Sequence, residues 1–135
     1  MLGLSDGQCA DLSLVMVVCS SPINRIVVSR IVEQAGLKSL CETPEHAVEA
    51  LSARRPGMIV LDCCVNCTEH HPIVPAIVDH RRASGSTLPM LVVLSTKAVP
   101  ADSLFIGVAD AIVPKPITPD ALQPRIEFLV EEARG

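Results

Sequence analysis

The sequence predicts an α/β domain in which a parallel sheet of five strands is covered by helices on both faces, the β-α unit being repeated five times. Three observations predict it. Hydrophobic residues make up 49% of the chain, yet its aromatics are two Phe with no Trp or Tyr, so the core has to be built from Val, Ile, Leu and Ala, the residues of strands buried on both sides. Four apolar runs, Leu14–Val18, Met58–Leu61, Met90–Leu94 and Ala111–Val113, are of strand length and lack the alternation of a half-exposed strand. The stretches between them carry apolar residues at helical spacing, bounded by start and stop signals.

Taken in order, Leu14–Val18 is the first strand. Ser20 or Ser21 caps the first helix, with Pro22 at its first position, Ile23, Ile26, Val27, Ile31 and Val32 on its inner face and Gly36 as its stop. Lys38–Cys41 is a weaker second strand. Thr43, Pro44 and Glu45 open a second helix with Ala47, Val48 and Leu51 inside, and Pro56-Gly57 ends it. After the third strand, Met58–Leu61, a helix from about Pro72 to Ser84 requires Pro75 in its first turn. The fourth strand is Met90–Leu94. Pro100 and Gly107 leave room only for a short or mobile helix within Lys97–Val108. After the fifth strand, Thr118, Pro119 and Asp120 start a last helix whose inner residues are Leu122, Ile126, Leu129 and Val130.

At 135 residues the chain builds one core, with residues 1–11 as a loose tail and 12–135 as the domain. A net charge of -4 and eleven scattered Lys and Arg leave no basic footprint for nucleic acid. No apolar run approaches the roughly 20 residues that cross a bilayer, and the first eleven residues carry no basic side chain, so a cytoplasmic location is expected. The six cysteines are expected to be reduced thiols, since a chain with a full apolar core needs no disulfide framework.

In an open parallel sheet the functional pocket lies beyond the carboxyl ends of the strands. Those ends carry Cys19 and Ser20 after the first strand, Asp62 on the third, Ser95 and Thr96 after the fourth, and Lys115 after the fifth. Together with Ser21-Pro22-Ile23-Asn24-Arg25 at the first helix, the motifs Met58-Ile-Val-Leu-Asp62, Leu94-Ser95-Thr96 and Pro114-Lys115-Pro116-Ile117 resemble the response-regulator receiver family of bacterial two-component signalling. The resemblance spans roughly Leu14 to Glu132. It implies a flavodoxin-like (βα)5 three-layer sandwich with strand order 2-1-3-4-5, and a cis peptide before Pro116. It also implies a phosphoacceptor at Asp62, a phosphate-contacting ammonium at Lys115 and a phosphate-contacting hydroxyl at Ser95 or Thr96. In that chemistry the carboxylate is the nucleophile towards a phosphoryl group, while cation and hydroxyl stabilise its oxygens.

The sequence departs from the family at the metal. Receivers carry an acidic pair after the first strand that holds Mg²⁺ with the phosphoacceptor, and here the matching positions are Cys19 and Ser20; Cys64 lies at the third position of that degenerate metal site. Magnesium takes oxygen ligands, so a thiol and a hydroxyl do not replace two carboxylates. No cofactor is expected, and Mg²⁺ binding is expected to be weak or absent. The family's aromatic switch position is Ile112, and Val65-Asn66 stands where receivers generally have Met-Pro.

Each feature has a plainer reading. A strand-terminal Asp can cap the next turn, Lys115 can pair with Asp62 without phosphate, and Ser20 or Ser21 can serve only as a helix cap. Cys64-x2-Cys67-x2-His70 has a spacing that suits a soft metal, with Cys19 nearby; the favoured reading is plain thiols and a surface loop.

The expected role is thus a non-enzymatic, degenerate receiver that binds a protein partner, such as a histidine kinase, a phosphotransfer protein or an output domain. The surface of the fourth helix, fifth strand and fifth helix serves partners or a homodimer in that family. The alternatives are a working phosphoacceptor on Asp62, or a cofactor protein of the flavodoxin type. The last has no Trp or Tyr to sandwich a flavin.

Overall fold

The computed structural model describes residues 11–19, 21–43, 45–63, 73–85, 87–95, 108–114 and 117–134. Its strands are β1 (Asp11–Val18), β2 (Lys38–Glu42), β3 (Pro56–Cys63), β4 (Met90–Ser95) and β5 (Ala111–Pro114). Its helices, among the described residues, are α1 (Pro22–Gln34), α2 (Ala47–Arg54), α3 (Ile73–Ser84) and α4 (Pro119–Arg134). All strand pairs are parallel and the order is β2-β1-β3-β4-β5, as expected. The short helix expected within Lys97–Val108 and the peptide before Pro116 lie outside the described residues; the cis peptide among them is Leu88–Pro89.

The sheet has an apolar cluster on each face, which is what makes it a three-layer sandwich. Val15, Val17, Met58, Val60, Val92 and Leu94 pack against Val28, Ile31 and Val32 of α1 and Leu122, Ile126 and Val130 of α4. Met16, Val18, Ile59, Leu61, Leu91 and Val93 pack against Ala47 and Leu51 of α2 and Ile73, Val74 and Ile77 of α3. Successive residues of each central strand alternate between the two clusters, so continuous apolar runs are the signature of double coverage.

Local chemistry explains the boundaries. Ser21 caps α1 by accepting from the Asn24 amide, with Pro22 at the first helical position. Gly36, at φ 85, takes the left-handed turn that ends it. Thr118 caps α4 by accepting from Ala121 N at 3.2 Å. Pro75 lies in the first turn of α3, where its missing N–H costs nothing.

Four expectations need correction. Asp11 belongs to β1 and not to a tail: its amide donates to Arg55 O at 2.8 Å and it pairs in register with Pro56. Thr43 does not open α2, because it forms a turn first, its carbonyl accepting from His46 N and its hydroxyl meeting His46 Nδ1 at 3.0 Å, and the helix starts at Ala47. Pro56-Gly57 does not end that helix. Arg55 does, at φ 48, and Pro56 is the first residue of β3, the strand position that tolerates a missing donor. Finally, Ile23 and Ile26 are 73% and 58% exposed; the stripe of α1 that meets the sheet is centred on Val28, Ile31 and Val32.

Candidate functional site

The carboxyl ends of the central strands form one edge of the sheet. Register there runs Val18↔Leu61 between β1 and β3, then Asp62↔Leu94 and Cys63↔Ser95 between β3 and β4. Cys19 follows β1 directly and Asp62 is the penultimate residue of β3. Cys19 continues the parity of Val15 and Val17, and Asp62 that of Met58 and Val60, so both turn towards the α1 side of the sheet. Asp62 and Ser95 are 9% and 8% exposed, the buried polar side chains among the described residues.

Burying a carboxylate costs several kcal/mol unless donors replace its water. Among the described residues, Cys19 Sγ at 2.9 Å and Asn24 Nδ2 at 2.9 Å both donate to Asp62 Oδ2. Cys19 Sγ also lies 3.4 Å from Ser21 O, but a thiol has one proton, and the contact to Asp62 is the shorter of the two. The N-terminus of α1 adds to this, because its partial positive charge faces the edge where Asp62 sits. The groups that hold the buried carboxyl thus include the Cys19 thiol and the Asn24 amide, with the end of α1 beside them.

Asn24 was not singled out as a site residue in the sequence, although it lies inside the Ser21–Arg25 motif. The signal was there. A polar residue in the first turn of the helix that leaves β1 stands over the strand ends, and the Ser21-Pro22 start fixes which turn that is.

Ile112 is on β5 opposite Val93 and is half-buried against the α2 and α3 side of the core. An aliphatic side chain therefore occupies the position where the resemblance expected an aromatic. Ser20, Cys64, Cys67, His70, Thr96 and Lys115 lie outside the described residues. Among the described residues no group of three or more His, Cys, Asp or Glu is arranged to hold a metal ion.

No family model matches the sequence, and no curated protein matches it. Solved structures do match the backbone. The Vibrio cholerae chemotaxis protein CheY4 superposes with a TM-score of 0.69 at 19% identity, covering 87% of this chain and 98% of its own. The signal receiver domain of a Syntrophus aciditrophicus signal transduction histidine kinase gives a TM-score of 0.72 at 20% identity, covering 90% and 92%. This chain has the receiver fold. A third similar receiver, from a Pseudomonas aeruginosa sensor histidine kinase (TM-score 0.67, 16% identity, 88% of this chain and 98% of that one), holds a magnesium ion coordinated in its active-site cleft. In the receiver fold of the present chain, Cys19, Asp62 and Asn24 converge at the carboxyl edge of the sheet. No helix among the described residues is long and apolar enough to cross a membrane.

Proposed function

We propose that the chain is a degenerate receiver, a cytoplasmic signalling module without enzymatic turnover of its own that works by binding a protein partner. A histidine kinase, a phosphotransfer protein or an output domain of a two-component system fits that role, as does a second copy of the chain. The observation that carries this reading is the 2.9 Å contact between Cys19 Sγ and Asp62 Oδ2. Cys19 stands at a position where receivers present an acid to magnesium. Here that position donates a hydrogen bond to the phosphoacceptor position instead of offering a second negative oxygen to a cation.

This donor set does not fit magnesium. The ion takes near-octahedral oxygen ligands at about 2.0–2.1 Å, whereas the described groups that meet Asp62 Oδ2 include a thiol and the N–H side of an amide. Without a metal, a phosphoryl group on Asp62 brings nearly two negative charges into a buried site.

Calorimetric titration with MgCl₂ tests the reading. Wild type is expected to give no saturable binding at millimolar concentration, and Cys19→Asp with Ser20→Asp is expected to gain it. Tight wild-type binding that disappears in Asp62→Asn contradicts the proposal and favours a working phosphoacceptor, the reading that the retention of a buried Asp62 beside the β4 end supports.

A further inference from the structure

β2 lies at one edge of the sheet, and among the described residues it pairs with β1 alone. The Glu42 carbonyl accepts from the Cys19 amide at 3.3 Å, so Glu42 directs its backbone groups at β1. Peptide groups alternate in direction along a strand, so Lys38 and Leu40 do the same, while Ser39 and Cys41 present their N–H and C=O to the open side. The side chains alternate as well. Ser39 and Cys41 meet Glu33 and Ser29 of α1 at 3.4 Å and 2.9 Å, and Leu40 packs partly into the cluster under α2 and α3.

The opposite edge of the sheet is blunted: β5 has four residues and ends in Pro114, which has no N–H to give. β2 carries Lys38, and an exposed lysine on an edge strand discourages pairing with most partners. A second β2 running antiparallel removes that obstacle. In a two-fold pairing centred on Leu40, Ser39 stands opposite Cys41 of the second copy and Cys41 opposite its Ser39, which gives four backbone hydrogen bonds through the groups that face outward. Leu40 then meets Leu40, and Lys38 meets Glu42, twice by symmetry. Shifting the register by two residues either way keeps the outward groups paired but puts a charge opposite Leu40. Among the described residues neither Lys38 nor Glu42 makes a salt bridge within its own chain.

The helix layer fits the same arrangement. α1 packs over β1 and β2; midway between them it lies two strand spacings, about 10 Å, from its symmetry mate, the distance at which helices pack. Its flank towards the edge carries the small Ser29 and, one turn earlier on the same face, Ile26, which is 58% exposed. We propose that two copies of the chain join through antiparallel β2 edges, Lys38 of each facing Glu42 of the other, with the α1 flanks packed beside the new strand pair. This goes beyond the receiver reading by naming the surface that takes a second copy, and it does not depend on the state of Asp62.

Sedimentation equilibrium of the full chain under reducing conditions, over a concentration series reaching millimolar, is the test. Wild type is expected to dimerise reversibly. Lys38→Glu and Glu42→Lys, both confirmed folded by circular dichroism, are each expected to weaken the dimer about three- to thirtyfold. The double variant, with the two charges exchanged, should recover it, and an equimolar mixture of the single variants should form a heterodimer. Ser39→Cys, then oxidised, should give a covalent dimer with the new thiol bonded to Cys41 of the other copy, since directly opposite residues of a hydrogen-bonded pair stand at disulfide distance. Wild type that stays monomeric throughout overturns the proposal. A dimer indifferent to either charge change, not recovered by the exchange, or cross-linked elsewhere overturns it too, by assigning association to another face. Phosphoryl labelling of Asp62 is a separate readout, so this proposal and the receiver reading can fail independently.

Discussion

Cys19 donates to Asp62 across the gap between β1 and β3, thiol to carboxylate at 2.9 Å, with both side chains buried. Removing the thiol leaves a buried carboxylate short of a donor. Cys19→Ala is therefore expected to destabilise the fold by about 1–3 kcal/mol, while Cys19→Ser, which keeps a donor, loses less. Urea unfolding of the two variants measures the difference. If Cys19→Ala is as stable as wild type, the contact does not hold the carboxylate.

A second polar arrangement ties α3 to the strand entries. Arg81 donates to Pro89 O and Val108 O at 3.0 Å each and pairs with Asp110 at 3.1 Å, while Asp110 also accepts from the Leu91 amide at 2.9 Å. The side chains of the pair are 20% and 31% exposed, so solvent screens part of the attraction. Arg81→Gln is expected to cost roughly 1–3 kcal/mol, mostly through the two carbonyls it leaves. A double-mutant cycle with Asp110→Asn should isolate a coupling of about 1 kcal/mol. A coupling of zero assigns the loss to the carbonyls alone.

Gly57 permits the close approach of β3 to the start of β1. A Cβ there would lie 2.8 Å from Asp11 O and 2.8 Å from Leu12 Cα, both backbone atoms that no rotamer change can move. Gly57→Ala is expected to destabilise by about 1–3 kcal/mol, read as a lowered urea midpoint. An unchanged midpoint would mean that the first residues of β1 shift at no cost.

The fold was legible because doubly covered strands read as unbroken apolar runs; Met90–Leu94 and Met58–Leu61 needed nothing more. Pairing information was less accessible. Asp11 and Pro56-Gly57 carry turn-like or polar residues, and only their contact across β1 and β3 makes them strand. Ile23 and Ile26 fit the helical period of α1 but fall off the stripe facing the sheet, since periodicity fixes a repeat and not where the neighbouring layer lies. At the site, the strand-end rule located Cys19, Asp62 and Ser95. Asn24 needed the geometry of the first turn, and that Cys19 donates to Asp62 needed the distance between them.

Intact mass after exposure to acetyl phosphate with MgCl₂ tests the degenerate-receiver reading most directly. With a thiol donor in place of a metal-binding acid, Asp62 is predicted to remain unmodified, the wild-type mass matching that of untreated protein. Stoichiometric gain of one phosphoryl group, absent in a folded Asp62→Asn variant, would contradict that reading and make the chain a working phosphoacceptor.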